Sequence, residues 1–326
     1  MRDLWVWPYE LVAGGRLNAR TERVVYEGAL VREGAGFGCV HCWPELGDPT
    51  LEECLADLAG AREFALVKRT VACLEADGAA RTAGRSLFEG LEVPESHATL
   101  PNLSEEALHE AVERGFSTFK VKARGNGIET LREIRRFMQQ GPGCWRVDFN
   151  EGGEVFSLLD ELSGWTEEEK GAIDFLEDPV PYDGGLWEYF GKESGVALAN
   201  DRNVGGDRGD SQVLVVKPAV DEMVTLDQLY PEGKVVIEPG ASTLDYAKEV
   251  IVTSYMEHPV GQVFAAWEAA RAELVGTCGL QTHGLFEPNE FTEVLGEVGP
   301  KFRVPKGPGL GFGDLLEKLP WTKLKR

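Results

Sequence analysis

Five charged residues stand out in this sequence: Lys122, Asp148, Glu177, Asp201 and Lys217, separated by 26, 29, 24 and 16 residues. Each closes or directly follows a short apolar run. An acid after a strand is ordinarily a helix N-cap, and a lysine there is ordinarily solvated. Five such residues, ordered Lys, acid, acid, acid, Lys, suggest a common purpose. Three carboxylates suit a hard dication: magnesium takes octahedral oxygen ligands and keeps positions open for water or substrate. The two lysines would then flank the metal from opposite sides. In Lys120-Val121-Lys122 the strand period of two puts both lysines on one face. Crowded there, their mutual repulsion is expected to lower the pKa of each. A lysine so perturbed can act as a general base. Asp148 and Asn150 share a face by the same period, so Asn150 is expected to support the site.

These residues need elements that bring them together. From residue 96 onward, short apolar runs alternate with polar, helix-forming segments. The runs are His97–Leu100, Thr118–Lys122 (TFKVK), Trp145–Asp148 (WRVD), Ile173–Glu177 (IDFLE), Val196–Ala199 (VALA), Gln212–Val216 (QVLVV), Lys234–Glu238 (KVVIE) and Glu249–Thr253 (EVIVT). Gly127–Gln140 between two of them has helical periodicity. Alternation of this kind implies a parallel sheet, and eight candidate strands favour a (β/α)₈ barrel of the TIM type. The first three separations are close to one β/α unit of such a barrel, roughly 30 residues. The last is short because Gly205-Gly206-Asp207-Arg208-Gly209 leaves little room for a helix. Charges in this register project from the C-terminal rim, where the active sites of such barrels lie. Residues 1–95 read as α+β, with a strand at Arg23–Val31 and helical spacing over Thr50–Ala80. The stretch Gly90–Pro101 (GLEVPESHATLP) marks the boundary. Gly307–Gly313 reads as a structural turn rather than a phosphate loop.

Composition narrows the function classes. With 33 Lys and Arg against 55 Asp and Glu, the net charge of the 326 residues is −22. So acidic a chain repels nucleic acid and anionic lipid, and no run of about 18 apolar residues marks a membrane span. A small anionic substrate remains open, given a locally positive site. The N-terminus lacks a signal peptide's apolar run. The scattered cysteines Cys39, Cys42, Cys54, Cys73, Cys144 and Cys278 read as reduced, so a cytoplasmic location is expected. Cys39-Val40-His41-Cys42 is half of a zinc-module pattern with no second pair at finger spacing, and reads as a loop of the N-terminal unit.

The order Lys-x-Lys, Asp, Glu, Asp, Lys resembles the lysine-bearing branch of the enolase superfamily, with its muconate lactonising enzymes, dipeptide epimerases and o-succinylbenzoate synthases. The resembling segments are Phe119–Lys122 (FKVK), Arg146–Asn150 (RVDFN), Phe175–Val180 (FLEDPV) and Val215–Pro218 (VVKP). Flanking segments are Gly84–Glu92, Pro94–Leu100, Thr253–Gly261 and Gly307–Gly311, and together they favour o-succinylbenzoate synthases. One departure lies at Asn200-Asp201-Arg202, where the superfamily usually has Glu after the third ligand. The resemblance implies an enolase-like modified barrel over residues 96–299. An N-terminal α+β capping domain would occupy 1–95, with the tail from about 300 to 326 packing back on it. It implies Mg²⁺, replaceable by Mn²⁺, on Asp148, Glu177 and Asp201. The implied reaction belongs to menaquinone biosynthesis: syn dehydration of 2-succinyl-6-hydroxy-2,4-cyclohexadiene-1-carboxylate to 2-succinylbenzoate. Lys122 would then move the proton and Lys217 would stay charged on the opposite face. Lys120 would bias Lys122, and Thr253 and Ser254 would meet the succinyl end. The same five residues also suit an N-acylamino acid racemase or a dipeptide epimerase.

Overall fold

The computed structural model describes residues 3–15, 17, 21–139, 141, 143–202, 211–223, 249–272 and 275–325. At the N-terminus β1 (Leu4–Val12), β2 (Val25–Glu33) and β3 (Gly36–His41) form an antiparallel sheet. Two helices follow, α1 (Leu51–Ala59) and α2 (Ala65–Thr82). Thr50 starts α1 through a reciprocal cap with Glu53, which satisfies donors the first turn leaves open. Close packing of α2 on β3 requires glycine at position 36. A Cβ there would lie 2.0 Å from the Leu74 carbonyl oxygen.

The second sheet is parallel throughout. Its strands are β4 (Ala98–Leu100), β5 (Thr118–Lys122), β6 (Cys144–Asp148), β7 (Ile173–Glu177), β8 (Leu198–Asn200), β9 (Val213–Val216) and β10 (Glu249–Val252), in that spatial order. Helices α3 (Glu105–Glu113), α4 (Ile128–Met138), α5 (Val155–Ser163), α6 (Glu167–Gly171) and α7 (Gly184–Ser194) lie between strands, as the alternating pattern predicts. Phe119 and Val121 of β5 share one core with Leu131 and Ile134 of α4. That leaves the alternate residues, Lys120 and Lys122, to the barrel side. A smaller core of Phe175, Ala199, Val213, Val215 and Ile251 fills the sheet's other side. Arg146 is also fully buried. It donates to Asp174 at 2.7 Å, to the Thr277 carbonyl at 2.6 Å and to His97 Nδ1 at 2.9 Å, so its charge is paired and hydrogen-bonded as burial requires.

The eight-strand expectation needs one correction. Lys234–Glu238 lies outside the described residues, yet β9 pairs directly with β10, in register from Val213↔Glu249 to Val216↔Val252. Among the described residues no strand sits between them. The eighth position belongs instead to residues 275–279. These bridge β10 at Val250↔Val275 and Thr253↔Gly279, and bridge the approach to β4 at Ser96↔Cys278, all parallel. The Cys278 N–H donates to the Glu95 carbonyl at 2.6 Å, and the His97 N–H to the Cys278 carbonyl at 2.7 Å. The two edges of the seven-stranded sheet are thereby joined and the barrel closes. Gly279 permits the approach, since a Cβ there would lie 2.8 Å from the His97 ring.

After the barrel strands come α8 (Pro259–Arg271), α9 (Glu290–Leu295), α10 (Gly313–Lys318) and β11 (Thr322–Lys323). β11 pairs antiparallel with β1. The buried Asp77 of α2 accepts from the Phe37 N–H at 2.8 Å, the Leu310 N–H at 2.7 Å and Arg81 Nε at 2.7 Å, tying helix, sheet and tail together. One continuous core joins β1–β3 and α2 to β10, α8 and α10. No described helix is long and apolar enough to cross a membrane.

Candidate active site

Strand register brings the charged residues to one level. Lys122 stands opposite Asp148 on the neighbouring strand, and Asp148 opposite Glu177 on the next. Asp201 follows the last residue of β8 and Lys217 the last of β9. Four steps around the sheet separate β5 from β9. In a ring of eight positions the two lysines therefore face each other across the mouth.

The carboxylates are drawn toward ammonium groups. Lys120 Nζ lies 2.7 Å from Glu177 and 3.5 Å from Asp148, and Lys217 pairs with Asp201. Burial pushes the Glu177 carboxyl up to about 7, with Lys120 opposing and the nearby Asp148 and Asp201 adding to the rise. Asp178, the next residue, is pushed up to about 8 by burial and then by Asp201 and Glu177. Asp201 is burdened by burial, but Lys217 and Lys120 outweigh that and hold its carboxyl below the usual range.

One expectation about Lys120 is overturned. Its pKa is raised, not lowered: burial pulls it down, but attraction from Glu177, Asp148 and Asp201 more than offsets this. Three acids, rather than the second lysine, dominate its surroundings. Lys122 is the exposed end of β5, and no described residue forms an ion pair or hydrogen bond with it. Asn150 donates its side-chain amide to Asp148 Oδ1 at 2.9 Å and its N–H to the same oxygen at 3.1 Å. The Thr253 hydroxyl is buried with no partner among the described residues. The Ser254 hydroxyl is already engaged, 2.6 Å from that of Thr282.

The Cys-Val-His-Cys segment is not the loop expected: Cys39–His41 close β3, and only Cys42 lies beyond it. His41 Nδ1 is 3.0 Å from the Tyr9 hydroxyl, and burial pushes the imidazole down to about 3, which leaves it neutral. Cys42 Sγ faces Cys54 Sγ at 3.6 Å. These are core packing contacts.

Comparison with known proteins bears on this geometry. Residues 4–80 match the family described as O-succinylbenzoate synthase, N-terminal domain. Over 98% of its length the chain is 30% identical to the o-succinylbenzoate synthase of Bdellovibrio bacteriovorus, covering 97% of that protein. The chain belongs to the o-succinylbenzoate synthase family. Among solved structures it is similar to an N-succinyl Arg/Lys racemase from Bacillus cereus, with a TM-score of 0.73 at 15% identity and full coverage of both chains. It is also similar to the muconate lactonizing enzyme of Pseudomonas putida, with a TM-score of 0.72 at 13% identity over 98% of this chain and 99% of that one. At such identities these structures bear on the fold alone: an enolase-superfamily barrel with an N-terminal sheet domain.

Members of that superfamily depend on a divalent metal, and the donor set of this o-succinylbenzoate synthase relative suits one. No three His, Cys, Asp or Glu side chains among the described residues are already gathered at metal-binding distance. The three acids are instead each paired with a lysine. A buried cluster in which Glu177 and its neighbour Asp178 are pushed up, by burial first and by the adjacent acids second, and which draws in ammonium groups is one that a dication would stabilise. Two residues escaped the sequence reading. Asp178 was visible in FLEDPV, but strand alternation turns it from the rim; a φ of +41° brings it back. There its Oδ1 accepts the Asp201 N–H at 3.1 Å. Arg202 bonds to Glu151 at 2.8 Å and to Asn150 Oδ1 at 3.0 Å, and its only sequence signal was the missing Glu.

Proposed function

We propose that this chain is an o-succinylbenzoate synthase. It would perform the Mg²⁺-dependent syn dehydration of 2-succinyl-6-hydroxy-2,4-cyclohexadiene-1-carboxylate. The observation that carries this reading is the match to o-succinylbenzoate synthase over 98% of the chain; the Lys122–Asp148–Glu177 register and the Lys217–Asp201 pair are consistent with it. In this reading residues 1–95 cap a barrel of residues 96–299.

The reaction needs a proton removed α to a carboxylate and a hydroxide expelled from the same face. Asp148, Glu177 and Asp201 would hold the cation, which supplies Lewis-acid stabilisation of charge building on the substrate carboxylate. Lys122, exposed at the end of β5, would take the α-proton and return it to the leaving hydroxyl. Lys217, whose pKa is raised because Asp201 outweighs the cost of burial, stays protonated on the opposite face. It offers fixed positive charge to the developing enediolate. Lys120 keeps its proton and helps orient the substrate carboxylate. The Thr253 hydroxyl, without a partner among the described residues, is available to the succinyl end, and Ser254 can join it by exchanging Thr282.

The test is turnover of the cyclohexadiene substrate, followed by formation of the aromatic product. Activity should vanish with EDTA and return with Mg²⁺ or Mn²⁺, and Asp148→Asn and Glu177→Gln should each abolish it in a folded protein. Metal-independent turnover, or near-normal kcat in either variant, refutes the ligand assignment.

A further inference from the structure

Three residues at the barrel mouth have backbone conformations that side chains other than glycine rarely adopt: Asn150 (φ +48°), Glu151 (φ +64°) and Asp178 (φ +41°). They occupy the turns after β6 and β7, next to two of the proposed metal ligands. Such conformations persist where surrounding contacts enforce them. One side chain reaches all three. Arg202 Nη1 donates to Glu151 Oε2 at 2.8 Å and Nη2 to Asn150 Oδ1 at 3.0 Å, while Nε lies 3.7 Å from Asp178 Oδ2. Its own backbone follows Asp201, the third proposed ligand.

The contacts continue inward. Asn150, accepting from Arg202 through Oδ1, is held with its amide nitrogen on Asp148 Oδ1 at 2.9 Å. Asp178, drawn to Arg202 through Oδ2, accepts the Asp201 N–H through Oδ1 at 3.1 Å. A single planar guanidinium therefore braces the turns after β6, β7 and β8, with Asp148, Glu177 and Asp201 each one bond or one residue away. A point-charge ammonium could not span three directions in this way.

We infer that Arg202 is a positioning residue that sets the spacing of the metal-binding carboxylates by locking these three turns together. The inference rests on the ligand reading given under Proposed function. It also makes a distinctive prediction of sign. A cation beside an acidic cluster repels a dication, so by Coulomb's law alone removing Arg202 would tighten Mg²⁺ binding. A positioning role has the opposite effect, because outer-shell partners that orient ligands contribute about 10- to 100-fold to metal affinity.

The experiment is calorimetric titration of the full-length protein, wild type, Arg202→Ala and Arg202→Lys, with Mg²⁺ and no substrate. Steady-state kinetics would accompany it, varying Mg²⁺ and substrate separately. Arg202→Ala should weaken Mg²⁺ by about tenfold or more, and added guanidinium should restore part of the affinity. Arg202→Lys should fall between. At saturating Mg²⁺ the substrate KM should stay within about threefold of wild type, because no bond from Arg202 to substrate is invoked. If the alanine variant fails to fold, the lysine variant carries the same test. Mg²⁺ affinity unchanged or tightened in a folded variant overturns the inference while leaving the ligand assignment intact. Mg²⁺ affinity unaltered in Asp148→Asn would instead overturn the ligand assignment, and this inference with it.

Discussion

Glu257 gives the most direct test of the electrostatics. It sits between β10 and α8, only 1% exposed, and neither carboxylate oxygen has a hydrogen-bond partner among the described residues. Burial pushes its pKa from the ordinary 4.5 up to about 8, with the backbone at Tyr255 and Glu257 itself pulling part of the way back. The folded protein therefore keeps this proton at neutral pH, while the unfolded chain releases it near 4.5. Between those values the folded state binds the extra proton, so stability falls as pH rises. The contribution is fully present below about 4.5 and is gone above about 8. At about 1.4 kcal/mol for each tenfold change in proton concentration, that interval amounts to at most about 4–5 kcal/mol. Glu257→Gln replaces a protonated carboxyl with a neutral group of the same shape. At pH 5 the variant should match wild type to within about 1 kcal/mol. By pH 8 it should be more stable by several kcal/mol. Urea unfolding at pH 5, 6, 7 and 8 reads the difference directly. Parallel pH profiles for the two proteins, with a constant offset, would mean that Glu257 is ionised in the fold and would sink the argument.

Other predictions concern the lysines and the N-terminal packing. Lys122→Arg retains the charge but removes a usable base, so dehydration should fall by about a hundredfold or more, whereas Lys217→Arg should keep measurable turnover. A racemase would need both lysines as bases, and α-proton exchange of an N-acylamino acid in D₂O without dehydration would favour that reaction. Gly36→Ala drives a methyl to 2.0 Å from the Leu74 carbonyl oxygen. It should cost about 3 kcal/mol in thermal or urea unfolding. Gly78→Ala meets its nearest atom at 3.1 Å and should cost less; the reverse order would show that β3 and α2 can slide apart.

The parts legible in the sequence were those fixed by local periodicity. A period of two along TFKVK placed the apolar residues on one side and the lysines on the other, and the β/α repeat brought Lys122, Asp148 and Glu177 to adjacent, level positions. The eighth barrel segment was not legible. Residues 275–279 (VGTCG) contain two glycines and no apolar run, and they become sheet only because two edges accept them, whereas KVVIE has the composition of a strand. Asp178 and Arg202 were missed for a related reason. Their placement depends on left-handed turns that no alternation rule foresees. The Lys120 expectation failed because it weighed the nearest charge in sequence, and the nearest charges in space are acids on other strands.

The seam at Ser96↔Cys278 and the core shared between the two ends of the chain have a kinetic consequence. The pieces that must meet lie far apart in sequence: β1 finds β11, Phe37 packs on Trp321 at 5.6 Å between ring centroids, and Glu95 meets Cys278. A ribosome delivers the N-terminal sheet and the α2 helix that packs on it early, but β10, α8, α10 and β11, which complete that core, follow much later. Until then part of that core is open and the parallel strands expose unpaired edges. Closing such long loops is slow, so the nascent chain passes through an adhesive stage. Production in cells should accordingly depend more on chaperone supply and growth temperature than the stability of the finished barrel would suggest.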